Sequence, residues 1–232
     1  MPCDPEKPVN LQAWPPEPEG YSGGHGRSLW QFESPSPLGD KAIWLMIGTI
    51  VTGLIYAVIK SGESNPPGIS DALTVLAAST FDLAVVIAYQ IFFYMWVYRV
   101  CTNLRAFGAE GLSISPGWAV GYFFIPILNF FKPYQSMRDA WQASTPGLDL
   151  QAKPESWWHV HSDPKVAIWW AVNVLEPVIG ITCGLLLINS EITYLGLAWI
   201  FMAMRVAKVV VTIFFITALT ARQEETARRL RG

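Results

Sequence analysis

Residues 118–131, WAVGYFFIPILNFF, decide how the chain is threaded: they are apolar enough to enter a bilayer and too short to cross one in the ordinary way. As a helix these 14 residues reach about 21 Å, whereas a bilayer core of about 30 Å takes roughly 20 helical residues. Pro126 stands near the middle, where a missing N–H and a ring clash break a helix. Working outward, four longer apolar runs flank this stretch, residues 42–59 and 72–97 before it and 166–188 and 192–219 after it. Each is long enough, or nearly so, to span.

Lys and Arg in short loops mark the cytoplasmic side. Lys7, Arg27 and Lys41 precede the first run, and Arg99 and Arg105 follow the second. Between those runs, residues 61–71 (SGESNPPGISD) carry two acids and no base. Lys132, Arg138, Lys153 and Lys165 follow the short stretch, and Arg222, Arg228, Arg229 and Arg231 follow the last run. If residues 118–131 crossed, both of these clusters would be external. If they do not, every basic cluster is cytoplasmic and both outer loops, 61–71 and 189–191, are acidic. The expectation is therefore an all-α integral membrane protein with four transmembrane helices, both termini cytoplasmic, and a short re-entrant or interfacial helix at 118–131. Trp44, Trp96, Trp118, Trp141, Trp157, Trp158, Trp169 and Trp170 are expected near the inner interface, where rings sit half wet.

Composition agrees. Of 232 residues, 52% are hydrophobic and only 15% charged, against roughly 25% in a soluble domain. The net charge of −2 and pI of 5.9 lack the basic excess of a nucleic-acid binder, so no nucleic acid is expected as a partner. Cys3, Cys101 and Cys183 are too far apart for a metal knuckle and too few for a disulfide scaffold. Residues 1–39 hold eight of the 17 prolines and no apolar periodicity, which reads as a disordered cytoplasmic tail, not a signal peptide. Residues 223–232 read as a basic cytoplasmic tail to a membrane domain at 40–222.

Three ionisable residues fall near the midplane when the runs are centred: Asp82, Glu176 and Arg205, with Lys208 one turn from Arg205 on nearly the same face. Arg and Lys near a helix centre cost about 2.5 to 3.5 kcal/mol each, so the pair costs about 5 to 7. The 14 Leu, Ile, Phe and Val residues of run 192–219 return only about 4 to 8. The last helix is therefore marginal unless Asp82 and Glu176 neutralise its bases, with Gln90, Asn129 and Asn173 completing a polar network. Such a cluster either fixes helix register or lines an ion, proton or ligand path. Small-residue steps at Gly180/Gly184, Ala84/Ala88 and Ala203/Ala207 suit close packing within one bundle or, as the sharper alternative, a homo-oligomer or another membrane protein as partner.

Residues 133–144 place Tyr134, Met137 and Trp141 at helical spacing between polar residues, an amphipathic helix for the headgroup layer or for the underside of the bundle. No nucleophile elbow, phosphate loop, dinucleotide fingerprint or HExxH pattern occurs. His159, His161 and Asp163 are ligand types at close spacing, but in a Trp-rich loop they read as interfacial; no metal site or cofactor is expected, and no His lies in a spanning run to hold haem.

One further pattern runs through Tyr98-Arg99, Asn103, Gly108, Gly111-Leu112, Ser115-Pro116-Gly117-Trp118, Gly121, Pro126, Asn129, Lys132-Pro133-Tyr134-Gln135, Met137 and Trp141, with Trp157-Trp158 and Arg222-Gln223 beyond it. It resembles the signature of the domain of unknown function 4328 family of bacterial multi-pass membrane proteins, across about residues 40 to 225, with Asp139 where Glu is expected. The resemblance implies a bacterial inner membrane location and brings no catalytic residue with it. It draws attention to the inner face. There Arg99 and Asn103, a turn apart, are expected to hydrogen-bond carbonyls freed where the helix breaks, or Arg99, Arg105 and Lys132, beside Tyr134, to meet anionic lipid headgroups. The functional expectation is a non-catalytic scaffolding, sensing or assembly module in the lipid bilayer; the alternative is a small transporter or channel using the midplane charges.

Overall fold

A computed structural model of the chain describes residues 31–62, 68–187 and 194–231, with side chains described up to 182 and again from 199. The proline-rich tract up to residue 30 and the acids of the outer loops at 63 and 189–191 lie outside the described residues, and the surroundings of Gly184 are not among those described. All regular structure among the described residues is helical. In chain order the helices are α1 (Ser36–Ser61), α2 (Ile69–Ala106), α3 (Pro116–Gly121), α4 (Pro126–Asn129), α5 (Lys132–Ala143), α6 (Pro164–Leu187) and α7 (Tyr194–Arg231), with 3-10 turns at Tyr122–Phe124 and Ser156–His159.

Proline marks where these helices begin. Pro37, Pro116, Pro126, Pro133 and Pro164 each occupy the first or second position of a helix, where the missing N–H has no intrahelical acceptor to lose. Ser115 caps α3 by accepting from the Trp118 N–H, and Asp163 accepts from the Lys165 N–H at the start of α6. Gly108, at φ +90°, turns the chain sharply out of α2.

Four segments, Ser36–Ser61, Ile69–Ala106, Pro164–Thr182 and Trp199–Arg231, are long and apolar enough to cross a membrane. α1 packs along α2 and α7, and α7 packs along α6. The start of α1, the end of α2, α5, the start of α6 and the end of α7 meet at one end, joined by bonds such as Asn103 Nδ2 to Gln223 Oε1 at 3.0 Å and Arg222 Nε to the Trp141 carbonyl at 3.1 Å. This basic end gathers the lysines and arginines of those elements. Residues 223–231, read as a tail, continue α7 as helix, and residues 36–39 already belong to α1.

Residues 118–131 form no continuous helix. α3 gives way to the 3-10 turn, Ile125 is extended (φ −103°, ψ 108°) as the residue before proline prefers, and α4 restarts at Pro126. Phe123 reaches Phe93 and Tyr94 (6.0 and 5.2 Å between centroids), and Phe124 reaches Tyr94 at 5.3 Å. Tyr94 lies about 18 Å along the axis from the end of α2. The flanks of the segment meet where Ser113 donates to Asp139. Phe124, Ile127 and Phe131 are more than 60% exposed. α5 takes the packed one of its two expected positions: Met137, Ala140 and Ala143 are fully buried.

The tryptophan belt needs correction. Trp96, Trp141, Trp157 and Trp169 are buried, and only Trp44, Trp118 and Trp158 are exposed among those expected at the interface. Trp169 stacks on Phe215 at 4.4 Å, Phe215 lies between it and Trp141, and Trp96 donates to Thr220 Oγ1 at 3.0 Å. These rings knit α2, α5, α6 and α7 into one core, a gain available once their N–H groups find partners or their faces find rings.

Candidate functional site

The charges expected near the midplane form two separate ion pairs, both made by α7. Arg205 Nη1 and Nη2 fork onto Asp82 Oδ1 and Oδ2 of α2 at 3.2 and 3.0 Å, and Nη1 also donates to the Thr49 carbonyl of α1 at 2.8 Å. Thr52 adds a hydroxyl to Asp82 Oδ1. Gly53 completes the seat, since a Cβ there would stand 2.5 Å from Arg205 Nη1 and 2.9 Å from Met202 Cε. α1 thus supplies the floor of the pair, and nothing in the expected cluster came from α1. The signal was present in T49-I-V-T52-G53, two hydroxyls and a glycine on one face of an apolar helix.

One turn along α7, Lys208 Nζ meets Glu176 Oε2 of α6 at 2.6 Å. A cleft of about 300 Å³ opens beside it, where Lys208 is joined by Gln90, Asn129 and Asn173. Among the described residues these amides do not complete a network with the charges, contrary to expectation. Gln90 donates to the Tyr94 hydroxyl at 3.1 Å and Asn173 to the Trp169 carbonyl at 2.8 Å, while Asn129 Oδ1 is buried with no donor among the described residues. Pro177 adds another acceptor, because it has no N–H for the Asn173 carbonyl. Phe130 and Trp170 close one edge, Trp170 Nε1 donating to the Phe130 carbonyl at 3.3 Å.

At the basic end Arg99 and Asn103 take a partner other than the freed carbonyls expected for them: among the described residues neither bonds a carbonyl of the broken segment. Arg99 pairs with Glu33, and Asn103, fully buried, clasps the Glu33 backbone by accepting from its N–H (3.2 Å) and donating to its carbonyl (2.9 Å). Asn103 also donates to Gln223, whose own amide donates to the Val100 carbonyl and Ser144 Oγ at 3.0 and 3.1 Å. A buried polar network this well satisfied specifies one arrangement of the helix ends. The partner was invisible locally because Glu33 lies 70 residues from Asn103 in sequence. Lys132 donates to Gln135 and lies over the Tyr122 ring, Tyr134 is half-buried against the core, and Arg105 ends α2.

His159 and His161 line an open surface hollow of about 520 Å³ with Arg138, Ser113 and Trp158, and no group of three or more metal-ligand types occurs among the described residues. Asp163 instead works locally. Burial opposes its charge, but the backbone N–H and ammonium of Lys165 and the nearby Arg222 outweigh this and hold its carboxyl below the usual range.

Comparison with known proteins gives a match to the model of a family described as a domain of unknown function (DUF4328), over residues 68–225. No curated protein and no solved structure matches the chain. The matched region takes in α2 through most of α7, and so holds both ion pairs, except the α1 floor under Arg205, together with the cleft.

Proposed function

This chain belongs to the domain of unknown function 4328 (DUF4328) family, and from that premise we propose that it is a non-catalytic scaffolding, sensing or assembly module of a bacterial inner membrane. In this reading four helices cross the bilayer, residues 118–131 dip into the cytoplasmic leaflet and return, and both termini are cytoplasmic. Lys and Arg at one end of all four helices support that orientation. The exposed apolar side chains Phe124, Ile127 and Phe131 support the dip.

One observation carries the non-conducting reading. Arg205 is held on two carboxylate oxygens and a carbonyl over a glycine that fits no side chain, which is how a fixed register element is built. A permeating ion would have to displace that fork. The transporter reading draws on a different feature, the cleft that reaches Lys208.

Single-cysteine labelling at Lys153 and a reporter fused after residue 232, in a background without native cysteines, test the topology: both must be cytoplasmic, and an external position for either refutes four crossings. Flux of protons and small ions through reconstituted vesicles tests the rest. No flux above empty vesicles is expected, and flux abolished by Lys208→Met would replace the architectural reading with the transport one.

A further inference from the structure

We infer that the cleft beside Lys208 holds the hydroxyl-bearing polar head of one membrane lipid, admitted sideways between the dipping segment and α6. The cleft is built for such a group. It offers acceptors for a donor: Asn129 Oδ1, buried and without a donor among the described residues, the Asn173 carbonyl, left without its helical donor by Pro177, and the amide oxygen of Gln90, whose Nε2 is given to Tyr94. An occupant that brings several N–H or O–H groups satisfies them. Lys208 uses one of its ammonium hydrogens on Glu176 and has others for an oxygen of the occupant. Because Lys208 and Glu176 neutralise each other, the site does not select for bare charge, and a polyol satisfies donors and acceptors together.

The occupant is an amphiphile because of where the cleft lies. Its walls are rings, Phe93, Phe123, Phe130 and Trp170, and Phe130 is 47% exposed beside the apolar Phe131 and Ile127. The space of about 300 Å³ admits a headgroup and no acyl chains, which would run outside along those exposed side chains and Leu175 and Val178 of α6. A seated lipid does not depend on the non-conducting reading above, and its retention is measured without flux, so either can fail alone.

Full-length protein in a polyoxyethylene detergent is titrated with phosphatidylglycerol or with phosphatidylcholine of the same chains, whose methylated head donates no hydrogen bond, and bound lipid is counted by native mass spectrometry. Phosphatidylglycerol is expected to be retained preferentially. Asn129→Leu and Gln90→Leu are each expected to lower its retention about fivefold, the weight of one neutral hydrogen bond, while Asn129→Leu leaves the thermal midpoint unchanged or raised because it removes an unpaired buried amide oxygen. Excess free glycerol is expected to leave the bound lipid in place. Equal retention of the two lipids, retention indifferent to both substitutions, or displacement by glycerol overturns the inference. Should Asn129→Leu fail to fold, the retention measured with Gln90→Leu decides by itself.

Discussion

Replacing Arg205 with Leu strips both carboxylate oxygens of Asp82 of a forked cation and the Thr49 carbonyl of a donor, leaving only the Thr52 hydroxyl on the charge. Removing one partner of a buried pair costs about 3 to 5 kcal/mol. The side chains here keep 27% and 21% of their exposure, so the loss belongs at the lower end of that range. Adding Asp82→Leu removes the stranded charge and recovers part of the loss, a coupling of about 1 to 3 kcal/mol. Lys208 and Glu176 form a second cycle of similar size. The crossed cycles, Arg205 with Glu176 and Lys208 with Asp82, are expected below about 0.5 kcal/mol, the usual scatter of independent sites. Reversible unfolding by sodium dodecyl sulfate, followed by tryptophan fluorescence, measures all four. Additive losses in the direct cycles, or crossed couplings as large as the direct ones, would refute two-pair geometry.

Gly53→Ala is expected to destabilise by about 1 to 3 kcal/mol through overpacking on Arg205 and Met202, whereas Gly48→Ala, whose Cβ would meet Val85 at an ordinary 3.6 Å, is expected neutral or stabilising in the same unfolding assay. Gln223→Leu leaves Asn103, Ser144 and the Val100 carbonyl short of partners and should cost about 1 to 3 kcal/mol or more. Asp163, with its carboxyl held below the usual range, contributes stability present at neutral pH and lost as pH falls through its folded-state pKa. Asp163→Asn should remove that acid-side dependence in thermal melts from pH 7 to about 3, and an unchanged profile would show that the Lys165 contact is not formed.

The approximate level at which the charges of α2, α6 and α7 meet was legible in the sequence, and azimuth was not. Counting along the apolar runs puts Asp82, Glu176 and Arg205 at one level, yet nothing local says that Arg205 turns toward α2 and Lys208 toward α6. That choice is made by which helices flank α7, a tertiary fact. Pro126 announced the break in residues 118–131, because a missing N–H acts within a turn of its own position. The tryptophans misled for the opposite reason: Trp96 and Trp169 have the same local setting as an interfacial ring, and only distant Thr220 and Phe215 bury them. Gln90, Asn129 and Asn173 were rightly singled out as unusual in apolar helices, but they share a cleft with Lys208 without bonding to the charges.

The clasp of Asn103 on Glu33 makes one side-chain amide act like a single rung of β-ladder, holding an irregular segment by both its N–H and its carbonyl. The same amide bonds Gln223, and Ser34 reaches Glu224 at 2.7 Å. The lead-in to α1 and the last turns of α7 therefore open together or not at all. In hydrogen exchange the Glu33 amide, with no helix of its own, would keep time with the buried helix ends around Gln223, as one cooperative unit spanning both ends of the described chain.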